Sequence, residues 1–202
     1  MAKEVEELRD VLRRISGKIL ATKNVCIAMN FQIWIVIMAG YYILIAPLKY
    51  IPVWLTLCYW SAGATIFACV SRSFWRRASL LISDEDSRSI NVGIMISWIV
   101  AAILGWFVIP SMIEGEFLQR LAIGLLSFLS IAVAGMIATI YLGTRKVAVE
   151  MIPAALIPIL LIPVVPLVKN PMNFAGMGVV FSYGTTVILY IYRAFKVADY
   201  VE

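Results

Sequence analysis

Along most of this chain, apolar positions run on without alternation and charged positions bunch between the runs. Uncharged stretches lie between Lys23 and Lys49 (25 residues), Lys49 and Arg72 (22), and Arg88 and Glu114 (25). Three more lie between Arg120 and Arg145 (24), Glu150 and Lys169 (18), and Lys169 and Arg193 (23). A helix needs about 20 apolar residues to cross roughly 30 Å of hydrocarbon, so each run predicts one span. Continuous runs favour helices over barrel strands, whose residues alternate. The expected fold is all-α, a polytopic membrane protein. Its six transmembrane helices are predicted at about 25–47, 51–71, 90–110, 119–142, 151–168 and 172–193.

Before the first run, Val5, Leu8, Leu12, Ile15 and Ile19 recur at spacings of 3, 4, 3 and 4. That seam predicts an amphipathic helix over residues 1–22, ended near Gly17 or running on into the first span, ahead of the six-helix domain 23–202 and lying at the interface. The alternative use of the seam is a docking surface for a cytoplasmic or neighbouring subunit. Between the second and third runs, Phe74, Trp75, Leu80, Leu81 and Ile82 alternate with basic residues, which predicts a second interfacial helix. This layout looks like the membrane half of an ABC-2-type exporter. The resemblance implies that residues 72–82 couple to an ATPase and that two copies form the pathway.

Composition agrees with the spans. Apolar residues make up 62% of the 202 and charged residues 14%, against about 45–50% and 25% in soluble domains. Fourteen of the 17 lysines and arginines fall on the side of the two termini and three on the other. The bias places both termini in the cytoplasm and the protein in the cell membrane. It also explains the net charge of +5 through topology and anionic headgroups, with no need of nucleic acid. The N-terminus carries mixed charges and no signal-peptide core.

Histidine is absent, which excludes Ser-His and Cys-His nucleophile pairs, histidine-ligated haem and nearly all zinc or copper catalysis. Cys26, Cys58 and Cys69 have no CxxC spacing and read as packing residues. "SDED", Ser83–Asp86, reads as a helix cap before the third span, not as a cation site. No catalytic residues, metal or cofactor are expected, and the chain is not read as an enzyme.

The fifth run carries the candidate pathway. Pro153 sits in its first turn, where an amide is unpaired anyway. Pro158, Pro163 and Pro166 would free the carbonyls of Ala154, Ile159 and Ile162. Such carbonyls need a neighbour, a water-lined cavity or a change of helix pitch; Ser182, Thr185 and Thr186 are the hydroxyls expected to serve. Short, proline-interrupted spans point to a transporter's central site, and the competing use is a kinked packing helix. Asn30, in place of its near neighbour Gln32, and Glu150 complete the pathway set. Glu150 is expected to pair with Lys146, and Glu116 with Arg120.

Small residues supply the packing set. Gly93, Ser97, Ala101 and Gly105 recur every fourth position in the third span, Ser130, Ala134 and Ala138 in the fourth, and Gly178 and Ser182 in the sixth. Such stripes predict close backbone approach, first of all between spans three and four. The expected function is a small transporter or permease subunit for an apolar or lipidic solute. The alternative is a non-catalytic structural or assembly subunit. Expected partners are the bilayer, a second copy or other membrane subunits, and a cytoplasmic protein at residues 3–20 and 72–82.

Overall fold

In the computed structural model, residues 2–45, 51–79 and 87–199 are described. They are helical almost throughout and contain no strand. Six helices are long and apolar enough to cross a membrane. The first is α1 (Ala2–Gly40), continued by a π turn over Tyr41–Ile45. Next come α2 (Val53–Ser79) and α3 (Ser87–Ile103), the latter extended by a π turn (Leu104–Val108) and a last turn, Ile109–Met112. Then follow α4 (Phe117–Thr144), α5 (Ile152–Leu161) between 3-10 turns Val149–Met151 and Ile162–Leu167, and α6 (Pro171–Asp199).

Of the two forms expected for the N-terminal helix, the continuous one is found, with no break near Gly17. α1 is one helix of 39 residues, roughly 58 Å of rise, so residues 3–20 lead directly into the first span. Its first turns are rich in Glu, Leu, Arg and Lys, all good helix formers. Gly17 costs only about 1 kcal/mol against alanine, too little to stop such a helix without a proline. The second interfacial helix is likewise no separate piece as far as it can be followed, because α2 continues to Ser79. Residues 80–82 and Ser83–Asp86 lie outside the described residues.

α4 and α6 form the centre, with 56% and 50% of their spanning windows buried, against 6% for α2 and 11% for α3. α1 packs most extensively on α6, α3 on α4, and α5 on both α4 and α6. Among the described residues α2 leans mainly on α1. Trp34 of α1 ties the flanks together, stacking on Trp98 of α3 at 5.9 Å and lying 5.0 Å from Phe67 of α2.

Helix ends follow local chemistry. α4 starts with a capping box in which Gln119 Oε1 accepts from the Glu116 amide while the Glu116 carboxylate accepts from the Gln119 amide. Glu116 therefore serves the helix end, and Arg120 Nε is buried without a partner where an ion pair was expected. α3 widens at Leu104–Val108 because Pro110 has no amide to donate and its ring displaces a carbonyl. The Ile109 amide reaches back five residues, to Leu104.

α4 stops at Arg145, which adopts the left-handed conformation (φ 56°, ψ 17°) while its amide bonds Tyr141 at 2.8 Å. An L side chain there costs about 1 kcal/mol that glycine does not incur. Arg145→Gly is expected to raise stability by no more than about 0.6 kcal/mol after the unfolded-state entropy of glycine is counted, measured by reversible unfolding in mixed micelles.

Candidate functional site

The proline-rich span resolves its own irregularity by changing pitch. α5 keeps α geometry from Ile152 to Leu161 with Pro158 inside it, then tightens to 3-10 from Ile162 to Leu167. The Ile162 amide donates to the Ile159 carbonyl, the group that Pro163 would have left free. The Val168 amide donates to Val165 at 3.4 Å. Pro158 points into the core, whereas Pro163 and Pro166 are exposed and Pro153 is half-buried. The expected hydroxyl repair is not made: Ser182 donates to Val179 at 3.0 Å and Thr185 to Phe181 at 2.9 Å, within their own helix. Thr186 Oγ1 is buried without a partner.

Glu150 pairs with Arg193 of α6 at 2.5 Å, not with Lys146. Helical geometry ends at Thr144 and resumes only at Val149, so the spacing of four that would align Lys146 and Glu150 is never realised. α6 runs antiparallel to α5 and delivers Arg193 from 43 residues away.

Asn30 is engaged in a contact between helices and is not among the residues lining the hollow between α1 and α2. Its side-chain amide donates to the Cys26 carbonyl at 3.2 Å, and its oxygen accepts from the Ser71 hydroxyl at 2.5 Å, which clips α1 to α2. Gln32 is the polar side chain left at the opening.

That opening is a hollow of about 470 Å³ on the flank of the bundle, between α1 and α2. Met29, Gln32 and Val36 form one wall; Ala62, Gly63 and Ile66 form the other. Gln32 brings the one amide. Tyr59, at the far end, donates its hydroxyl to the Ile37 carbonyl at 2.7 Å, one turn before α1 widens into its π turn. Two close approaches pin the helices together there. A Cβ on Gly40 would lie 2.5 Å from Tyr59 Oη, and one on Gly63 would lie 2.8 Å from Ile37 Cγ2. Between these approaches and the Asn30–Ser71 clip, Met29, Val36 and Ile66 stay exposed. α5 contributes nothing to this hollow, so the prolines and the opening are separate features. The small run "SAGA" at Ser61–Ala64 is the sequence signal for this site.

The small-residue stripe of α3 meets α4, but on another face than expected. Gly93 abuts Thr139, and Ser97 faces Gly135, whose Cβ would lie 2.7 Å from Ser97 Cβ. Ala101 is fully buried. A Cβ on Gly105 would lie 2.5 Å from Phe128 Cα, and one on Gly124 would lie 2.7 Å from the Gly105 carbonyl oxygen. The α4 side of the seam is therefore Gly124, Phe128, Gly135 and Thr139. Ala134 and Ala138 are exposed, and Ser130 is buried away from α3. Gly178 of α6 abuts Leu161 of α5 and lies within reach of Leu126 of α4, while Ser182 is buried one turn further on.

Among the described residues no group of three or more cysteine, aspartate or glutamate side chains is placed to hold a metal ion. No family model matches the chain, and no curated protein or solved structure matches it.

Proposed function

We propose that the protein is a small transporter or permease subunit for an apolar or lipidic molecule, which reaches it sideways through the groove between α1 and α2. The hollow on that flank carries the reading. Its walls are apolar, and Val36 and Ile66 at its margin are exposed, so an apolar molecule dissolved in a bilayer would meet it from the side. α2 is the least buried spanning helix and rests mainly on α1, so it is the element with the fewest contacts to lose in a movement. The π turn that begins beside Tyr59 is a feature frequently found at functional positions. Orientation follows the lysine and arginine bias, with the termini and the Glu150 end cytoplasmic in the cell membrane.

A photoactivatable side chain tests the site. Placed at Ile66, inside the groove, it is expected to capture an added apolar amphiphile to a saturating level. Placed at Ile99, on the exposed side of α3, it should capture in proportion to the amount partitioned in the bilayer. Unsaturable capture at both positions would refute the groove as a binding site.

A second reading, an assembly subunit, is favoured by one observation. Val5, Leu8, Leu12 and Ile15 are 65%, 61%, 56% and 50% exposed on the part of α1 that exceeds a bilayer's thickness. Such a stripe suits a cytoplasmic partner, and with Arg72 and Arg76 nearby in the layout it accommodates the ATPase of an ABC-2-like complex or a second copy. Purification from native membrane, with and without Leu8→Glu and Leu12→Glu, separates the two readings. Loss of a partner with flux retained favours assembly as the role of that stripe.

A further inference from the structure

We propose that a file of internal water molecules runs through the core of the bundle, from the Glu150 end to the break at Pro158 near mid-bilayer. The proposal is independent of the groove. Among the described residues seven buried side-chain polar atoms have no partner within the protein, and apart from Trp34 Nε1 and Arg120 Nε these are Glu150 Oε2, Asn24 Nδ2, Thr186 Oγ1, Tyr183 Oη and Ser130 Oγ. Asn24 is 4% exposed, Tyr183 2%, and Thr186 and Ser130 fully buried. Their levels follow from contacts between helices. Phe31 meets Tyr183 at 5.1 Å and Tyr190 at 6.4 Å, so Asn24, two turns earlier on antiparallel α1, falls beside Arg193 and its partner Glu150. Thr186 lies seven residues from Arg193, roughly 10 Å deeper, and Tyr183 one turn beyond. Gly178 lies level with Leu126 and Leu161, so four residues on, Ser182 and Ser130 share a level, with Pro158 close to it. Thr186 then lies beside Ala154, whose carbonyl Pro158 deprives of its usual amide.

Left dry, five such groups would together cost about what a whole domain's stability amounts to, so they have partners. The set mixes a donor amide, a carboxylate oxygen and hydroxyls that do both. A cation is repelled by Asn24 Nδ2 and Arg193, and an anion by Glu150. Water satisfies every member, and a buried water ordinarily takes about three such bonds. The file gives water, and with it protons, access from the Glu150 face to the middle of the membrane.

Thiol exchange tests this in the full chain reconstituted in liposomes, with Cys26, Cys58 and Cys69 replaced by serine or alanine. In heavy water, the S–H band of Thr186→Cys is expected to convert quickly to S–D. That of Val179→Cys, equally buried beyond the end of the file, should convert many-fold more slowly. Equal, slow conversion would overturn the proposal. Should the thiol variants fail to fold, Tyr183→Phe and Thr186→Val give the answer by stability. Loss of a hydrated hydroxyl shifts the equilibrium toward the unfolded state by roughly two- to tenfold each. Unchanged or raised stability in both would mean dry hydroxyls and would contradict the file.

Discussion

Gly105→Ala is expected to lower stability by about 1–3 kcal/mol, and Gly105→Leu by more, because α3 and α4 touch there backbone to backbone. The added Cβ would sit 2.5 Å from both Phe128 Cα and Cβ and 2.7 Å from its amide nitrogen, and backbone cannot step aside as a flexible side chain can. Inside a bilayer no hydrophobic term drives helices together, so close contact across this seam is what holds α3 to the bundle. The matching control is Ala134→Leu. Ala134 belongs to the stripe expected from the sequence but is exposed, so its enlargement should stay within about 0.5 kcal/mol. Reversible unfolding in mixed micelles compares the three. Equal losses at 105 and 134 would mean that the seam is misplaced.

Glu150→Gln carries the second large effect, a loss of about 1–2 kcal/mol. The change removes a charge-assisted hydrogen bond at 2.5 Å and leaves the Arg193 guanidinium facing a neutral amide. Arg193 is 42% exposed, and the water around that part limits the loss below the value for a fully buried pair. A double-mutant cycle with Arg193→Gln should return most of the loss as coupling. The same cycle with Lys146→Gln should return less than about 0.3 kcal/mol. Coupling to Lys146 instead of Arg193 would restore the local pairing that helix spacing alone suggests.

These two cases indicate what the chain makes legible. The spans could be read because bilayer thickness demands a minimum uncharged length, and each run between charges meets it. The α3 stripe could be read because four-residue spacing keeps small residues on nearly one side. Its partner could not, since Ser130, Ala134 and Ala138 have the same spacing on a different face of α4. Periodicity identifies a stripe without saying what covers it. Glu150 was assigned to its neighbour in sequence because the break in helix before Val149 has no signature in residue spacing, and Arg193 arrives only once α5 and α6 pair. The proline span was legible in kind, an interrupted helix, but its remedy was a tightening to 3-10 at Ile162 and not hydroxyls from α6. The groove was hardest of all, being the space left between two helices that meet at Gly40 and Gly63 toward one end and at Asn30–Ser71 toward the other. Only the small residues around Gly63 hinted at it.

Flux through reconstituted liposomes tests the transport reading most directly, using a fluorescent apolar amphiphile and the Ala62→Phe variant, which places a ring in the groove away from the Gly63–Ile37 contact and leaves the Glu150–Arg193 pair and the α3–α4 seam untouched. Transfer by the unaltered protein is expected well above empty liposomes, with loss of most of it in Ala62→Phe at equal folded amount. Transfer that is unchanged by the filled groove, or no greater than in empty liposomes, would contradict it.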